Sequence, residues 1–150
     1  MAEFAYNAVQ NVALNSPILF NATIPCNTGC LFHEDETGVF ILRGKTNNCF
    51  ARYQVTVNLN AAIPTGGDVT PIAVAISVSG EPRLTSRAIY TPAAVDEYGN
   101  LTSTALITVP RGCCFNVSVD YVDATTDDPA TTPTPVIEVQ NANLVINRVA

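Results

Sequence analysis

Apolar and polar side chains alternate along much of this chain, and the alternation is clearest over residues 101–121. From 113 to 121 the odd-numbered residues are apolar and all but one of the even-numbered residues are polar; residues 101–109 repeat the pattern with threonines opposite. Successive side chains of a β-strand point to opposite faces, so both stretches are half-buried strands. Pro110-Arg111-Gly112 supplies turn chemistry between them. We therefore predict one antiparallel hairpin with a single apolar face, which needs a second sheet to cover it.

The rest of the chain shows the same two-residue period in short segments separated by Gly, Pro and Asn. Residues 49–60 form the longest regular alternation. Further strands are predicted at 4–12, 17–20, 30–33, 39–42, 72–79, 86–91 and 136–149. In the last strand the apolar positions change from odd to even at Gln140-Asn141, which indicates a β-bulge. The sequence predicts an all-β antiparallel sandwich of eight to ten strands without a helix; jelly roll, Greek-key sandwich and barrel all fit this pattern.

Composition narrows the partners of such a domain. The 150 residues suit one domain spanning 1–150, and charged residues are only 13% of the chain against about 25% in typical domains. The net charge is −6 and no basic run occurs, so nucleic acid and anionic membrane are not expected partners. No stretch reaches the ~18 apolar residues of a membrane span, and the first residues do not resemble a secretory signal. We expect no membrane insertion, and export by a route such as lysis.

The five cysteines and one histidine are the first candidates for site chemistry. Cys26, Cys30, His33 and Cys49 could converge on a zinc ion, which prefers tetrahedral sulfur and nitrogen ligands. A disulfide within this group is the alternative, and at least one of five cysteines must remain outside an internal pair. Cys113 lies on the apolar face of its predicted strand, where we expect a buried thiol.

Two acidic groups of residues are candidates for a calcium-binding site, and His33, the one histidine of the chain, is a candidate general base. The acidic groups are Glu34/Asp35/Glu36 and Asp120/Asp123/Asp127/Asp128. Calcium needs six to eight oxygens in a defined loop, and no EF-hand pattern is present, so solvated loops are the plainer interpretation. Catalysis needs a nucleophile, a base and an orienting group, which the sequence does not assemble around His33. We therefore expect no enzyme activity and no required cofactor.

Phe50, Leu106 and Val145 are large apolar residues on strand faces that are otherwise polar. Large apolar groups on a wet face often mark a partner surface. We take these three residues as candidates for an oligomer interface. The alternative is that they are isolated exposed apolar residues, which are common on protein surfaces.

Three stretches together resemble the bacterial and phage branch of the C1q/TNF-like jelly rolls, which includes the C-terminal domains of exosporium glycoproteins. The opening, 4–7 followed by 12–20, is similar to the aromatic start and Ala-x-Asn-x-Pro-apolar-Leu-Phe run of that branch. Residues 38–40 are similar to the Gly-apolar-aromatic step that opens its second strand. Residues 109–113 and 143–148 are similar in spacing to its last hairpin and closing strand. The likeness covers nearly the whole chain.

The chain also shows a narrower resemblance, to small stand-alone proteins of Clostridia-type Firmicutes and their prophages. They look similar at Arg-Gly-Cys-Cys, residues 111–114 here, and at the Asn-Cys-x-Ala-Arg run at 48–52. The resemblance implies a ten-strand jelly roll and a compact homotrimer that serves binding or surface decoration rather than catalysis. The chain lacks the Gly-X-Y collagen stalk of the fuller members.

On this basis we expect a non-enzymatic trimer that decorates a phage capsid or tail, or a bacterial surface. It would lie on the virion, outside the cell or on the cell surface, against other virion or surface proteins. A glycan or protein receptor is a possible partner. A cytokine-like or lectin-like soluble ligand is the alternative. A metal-dependent cupin-type enzyme is a remote third, since cupins use two or three histidines and this chain has one.

Overall fold

The computed structural model describes residues 2–24, 30–34, 36–124 and 133–150, with the backbone alone at 22–24. The strands are β1 (Ala2–Tyr6), β2 (Gln10–Ala13), β3 (Asn21–Ile24), β4 (Leu31–His33), β5 (Phe40–Arg43), β6 (Phe50–Ala62), β7 (Ile72–Val78), β8 (Glu81–Pro82), β9 (Ala88–Tyr90), β10 (Gly99–Pro110), β11 (Cys114–Val122) and β12 (Val136–Arg148). The 3₁₀ turn Leu84–Ser86 is the one helical element within the described ranges. No helix in this part of the chain has the length and apolar character needed to cross a membrane.

The strands form two antiparallel sheets packed face to face. Sheet I has the order β10-β6-β12-β1-β3, with β2 beside the first half of β12. Sheet II has the order β4-β5-β11-β7-β8, with β9 also beside β7. The prediction of an all-β antiparallel sandwich is confirmed. The count of twelve in the described ranges exceeds eight to ten because 4–12 divides into β1 and β2, and because β3 and the two-residue β8 were not predicted. The strand predicted at 17–20 is wrong, since that stretch makes only isolated bridges at Pro17 and Phe20.

The core lies between the sheets and contains the residues that the alternation assigns to the inner face. Val55, Val57 and Leu59 of β6 are fully buried, as are Ile107 and Val109 of β10. Burying such side chains is the main favourable term in folding, at about 25 cal/mol per Å² of apolar surface. The 13-residue strand β6 pairs with both β10 and β12, so it is an interior strand of sheet I, next to the edge strand β10.

Two buried tyrosines carry polar groups into this core, and both hydroxyls are hydrogen-bonded. The Tyr53 hydroxyl donates to the Arg43 carbonyl oxygen at 2.6 Å, and the Tyr121 hydroxyl donates to the Thr134 carbonyl oxygen at 2.6 Å. Burial raises the pKa of Tyr121 to about 12, and the carboxylate of Asp123 adds to the effect. These bonds tie the end of β5 and the segment before β12 to the core. They also satisfy the two hydroxyls, since a buried polar group without a partner is costly.

The predicted hairpin of residues 101–121 is wrong in its pairing. Strand β10 is an edge strand of sheet I and pairs with β6, whereas β11 lies inside sheet II between β5 and β7. The turn at 110–113 therefore crosses between the sheets. The turn is held there by a loop far away in the sequence: the Arg111 amide donates to the Cys49 carbonyl, and the Gly112 amide donates to the Gly44 carbonyl. Alternation identifies the inner face of a strand but not its neighbour.

The bulge predicted in the last strand is confirmed. The register of β12 against β6 shifts between Gln140 and Asn143, and Asn141 has a positive φ of 52°. Val139 before the shift and Ala142 after it are both buried. One extra residue at the bulge therefore keeps the inner face apolar, although the apolar positions change from odd to even residue numbers.

Candidate interaction surfaces

The outer face of sheet I carries all three residues predicted for an oligomer interface. Leu106 in β10 is 55% exposed, Phe50 at the start of β6 is 47% exposed, and Val145 in β12 is half-buried. The β6 residues Gln54 and Thr56 stand between them, because Leu106 pairs with Gln54 and Val145 pairs with Thr56. The face is one continuous surface with separate apolar points on it, rather than one apolar patch.

Most of this outer face consists of ordered polar side chains. The Asn100 amide donates to Asn58 Oδ1 at 2.6 Å, and the Thr102 hydroxyl donates to Asn100 Oδ1 at 2.9 Å. The hydroxyls of Thr56 and Thr104 lie 3.3 Å apart. Side chains that are already hydrogen-bonded lose little rotamer freedom when a partner docks. The surface is therefore suited to a polar interface with fixed register.

A second apolar feature lies along the edge formed by β9, β10 and the 3₁₀ turn, here called the β9–β10 edge. Leu84 is 53% exposed and Ile89 is 50% exposed. Arg83 Nη1 donates to the Leu106 carbonyl oxygen at 3.0 Å, which places this edge beside the outer face of sheet I. Sequence reasoning missed both residues: Leu84 is an apolar residue between polar neighbours, whereas Ile89 follows Ala88 and precedes Tyr90 and gives no such signal.

Backbone hydrogen bonds bring three chain segments together at one end of the sandwich. The Gly44 amide donates to the Cys113 carbonyl at 2.8 Å, and the Val149 amide donates to the Arg52 carbonyl at 2.9 Å. A Cβ atom at Gly44 would overlap the Pro110 carbonyl oxygen, so only glycine permits this approach of the two loops. The loop 44–49, the turn 110–113 and the segment 148–150, together with the flanking residues Arg43 and Arg52, form what we call the basic end.

The basic end holds five of the seven cationic residues of the chain. They are Arg43, Lys45, Arg52, Arg111 and Arg148. Two adjoining concavities of about 360 and 520 Å³ open there, and Lys45 lines both. Sequence reasoning missed the cluster because no two of the five cations are adjacent in the sequence. The linear sequence contains no basic run, and the fold brings these cations together from separate segments.

The four described cysteines differ sharply in exposure. Cys30 is buried, and its sulfur accepts a hydrogen bond from Arg148 Nη1 at 3.2 Å. The others, here called the exposed cysteines, are Cys49, Cys113 and Cys114. The prediction that Cys113 is a buried thiol is wrong, because β11 begins only at Cys114 and residue 113 still belongs to the turn. Cys26 lies outside the described residues.

The predicted zinc ligands within the described ranges have other contacts. His33 stacks on Phe40 at 4.1 Å between ring centroids, and its Nδ1 and Nε2 lie 3.1 and 2.9 Å from the carbonyl oxygens of Val39 and Phe20. Within those ranges, Cys30, His33 and Cys49 do not come together as a set of three metal-ligating side chains. The four-ligand zinc site stays a prediction, because its fourth member falls outside the description.

The calcium candidates are placed only in part. The Asp120 carboxylate accepts a hydrogen bond from the Ser77 hydroxyl at 2.7 Å, so this side chain is used within sheet II. Glu34 and Glu36 flank Asp35, which lies outside the described residues, as do Asp127 and Asp128. The acidic side chains that are described do not gather into a ligand group.

No protein-family model and no curated protein sequence matches this chain. Solved structures do match it over nearly its whole length. The globular domain of zebrafish complement 1qA protein has a TM-score of 0.58 at 12% identity, with 96% of this chain and 94% of that chain covered. Eiger TNF from S. frugiperda has a TM-score of 0.64 at 13% identity, with 99% and 91% covered. The chain has a C1q/TNF-like jelly-roll fold.

Murine APRIL at pH 5.0 extends the likeness, with a TM-score of 0.55 at 10% identity and with 95% and 97% of the two chains covered. The likeness of fold extends over nearly all of the 150 residues. The fold part of the sequence resemblance is therefore confirmed. At these identities the comparison concerns the fold alone, and the bacterial and phage branch stays a prediction.

Proposed function

We propose that this C1q/TNF-like domain is a non-enzymatic homotrimer that decorates a phage particle or a bacterial surface. The observation that carries the proposal is the outer face of sheet I, where Leu106 stands 55% exposed among hydrogen-bonded polar side chains. A broad, ordered, low-charge face with isolated apolar points resembles an interface between subunits more than a solvated surface. The likeness to C1q and TNF jelly rolls supports the same assembly.

A closed ring of three copies needs two different patches on each subunit, because a threefold contact is head-to-tail. The chain offers such a pair. The outer face of sheet I carries Val145, and the neighbouring β9–β10 edge carries Leu84 and Ile89. In the proposed trimer the edge of one copy packs on the outer face of the next, and each subunit buries both patches once.

A structural or adhesive role fits the chemistry of the described side chains better than catalysis does. His33 directs both ring nitrogens at backbone carbonyl oxygens and stacks its ring on Phe40, so it is engaged within the fold. Three identical subunits repeat every loop three times, and repetition converts weak contacts into avid binding. We propose that the partners are other virion or cell-surface proteins and a glycan or protein receptor, at an extracellular location.

A soluble ligand is the second candidate, and the comparison with Eiger TNF favours it. Both candidates share the trimer, so the mass in solution tests them together. Sedimentation equilibrium is expected to give three times the 15.9 kDa chain mass. A protein that remains monomeric at the highest concentrations reached would refute the trimer.

The genes that flank the coding sequence separate the two candidates. Capsid or tail genes on both sides are the expected result for decoration. A secretion or receptor-signalling neighbourhood would overturn that role in favour of the soluble ligand. This observation decides what the fold alone leaves open, since one fold serves many functions.

A further inference from the structure

We propose that the basic end binds an acidic saccharide, whose carboxylate or sulfate is held between Lys45 and Arg148. This inference names the receptor class for the proposed surface protein, and in that respect it rests on the proposed function. The site is the concavity of about 520 Å³ that these two residues line together with Thr46, Asn47 and Asn48.

The charge distribution points to an anion. The chain carries −6 overall, yet this end gathers five of its seven cations. The lining of the two concavities within the described residues includes Arg43, Lys45 and Arg148 but no acidic side chain. Lys45 and Arg148 line the same concavity, so an anionic group placed in it is attracted by both cations. A cationic site on an acidic protein also guides an anionic ligand to one place on its surface.

The neutral part of the lining points to a sugar. Thr46, Asn47 and Asn48 offer a hydroxyl and two amides, so donors and acceptors stand side by side. Sugar hydroxyls both donate and accept, and side chains of this kind match them. The concavity is open and lies in the ordinary size range of ligand sites, about 300–1,000 Å³. A short saccharide chain can lie in it with one acidic group at the cations.

The site is ordered before a ligand arrives. The backbone amide of Asn48 donates a hydrogen bond to the Thr46 hydroxyl oxygen at 3.1 Å, which fixes the turn that presents the three polar side chains. Arg148 is held by its bond to the Cys30 sulfur and by Nε donation to the Ala150 carbonyl oxygen at 3.2 Å. A ligand therefore meets groups that have already lost much of their conformational freedom, which lowers the cost of binding.

The experiment compares 3′-sialyllactose with lactose by isothermal titration calorimetry on the full chain. The two sugars share the neutral disaccharide and differ in the acidic sugar. We expect sialyllactose to bind at least about tenfold more tightly, since one charge-assisted hydrogen bond contributes roughly that factor. Lactose sulfated at the 3′ position, titrated in the same way, distinguishes a sulfate from a carboxylate as the preferred anion.

Lys45→Gln is the test variant, because Lys45 is exposed and lines both concavities. It should weaken the preferred acidic sugar about tenfold. Asn47→Ala should also weaken that sugar, by about twofold to tenfold. Arg83→Gln removes the same charge from the β9–β10 edge, outside the concavity, and should change the affinity by less than about twofold.

Several results would overturn the proposal. The first is equal affinity for sialyllactose and lactose together with no binding of the sulfated sugar. The second is no binding of any of the three sugars. The third is that Lys45→Gln and Arg83→Gln lose the same amount of affinity for the preferred acidic sugar. Equal losses would mean general electrostatic attraction rather than a site. The trimer test is independent. A trimer that binds no acidic sugar overturns this inference alone, and a monomer that binds it with Lys45-dependent affinity overturns only the trimer.

Discussion

Replacing Leu106 by Asp tests the proposed trimer at the most exposed apolar side chain of the outer face of sheet I. Leu106 is 55% exposed in the single subunit. Burying a whole leucine side chain is worth about 1.5–3 kcal/mol, so covering this exposed part is worth roughly 1–1.5 kcal/mol per copy. A trimer covers three copies, and the variant loses roughly 3–5 kcal/mol of assembly free energy. Three buried carboxylates would add a further desolvation cost.

Such a loss lowers the association constant of the trimer by about two to four powers of ten, at 1.36 kcal/mol per factor of ten. Sedimentation equilibrium over a wide concentration series measures the constant directly. The wild-type chain should sediment as a trimer at concentrations where Leu106→Asp sediments as a monomer. Circular dichroism should show the same strand content in both, because the side chain is outside the core.

The matched control is Val69→Asp, which introduces the same charge at a residue that is 48% exposed in the loop between β6 and β7. This variant should assemble as the wild type does. Two outcomes contradict the reasoning. If Leu106→Asp keeps the wild-type association constant, the outer face of sheet I is not the interface. If Val69→Asp dissociates to the same extent, added negative charge alone explains the effect.

The remaining predictions concern the subunit. Tyr121→Phe should remove a pH dependence of unfolding: the wild type loses roughly 2–3 kcal/mol between pH 10 and 12, because the unfolded tyrosine ionises near 10 and the folded one near 12. Equal alkaline slopes in urea titrations would contradict this. Gly44→Ala should lower the free energy of unfolding by about 2–3 kcal/mol, because its Cβ separates two hydrogen-bonded loops. Gly66→Ala is the control in the same urea titrations. Its Cβ meets open space at a φ of 93°, so it should lower that free energy by only about 1 kcal/mol. Iodoacetamide should modify the exposed cysteines at least about tenfold faster than Cys30 in peptide mapping, and equal rates would contradict the burial.

The features that follow from local chemistry were predictable from the sequence. The apolar residues at the odd positions from 51 to 59 predict the inner face of β6. The change of the apolar positions from odd to even after Val139 predicts the bulge of β12. Both depend on the two-residue period of a strand, which no distant contact alters. The same reasoning placed Phe50, Leu106 and Val145 on polar strand faces, and the pairing of β6 with β10 and β12 then brings them onto one face of sheet I.

The features that depend on distant contacts were not predictable in this way. The alternation of β10 and β11 is compatible with a hairpin, and the hydrogen bonds from Arg111 and Gly112 to a loop more than 60 residues earlier decide against it. The same crossing turn exposes Cys113. The basic end is a stronger case, because its cations are spread from Arg43 to Arg148 and only the fold gathers them.

The proposed trimer interface and the proposed saccharide site occupy different parts of the domain, so one subunit can join the trimer and bind a saccharide at the same time. The interface uses the outer face of sheet I and the β9–β10 edge, which run along the strands. The saccharide site uses loops at the strand ends, where Lys45 precedes β6 and Arg148 ends β12. In the proposed trimer, rotation about the threefold axis leaves the three basic ends at the same height along that axis. Three weak acidic-sugar contacts then act together, and their combined affinity exceeds that of any one site.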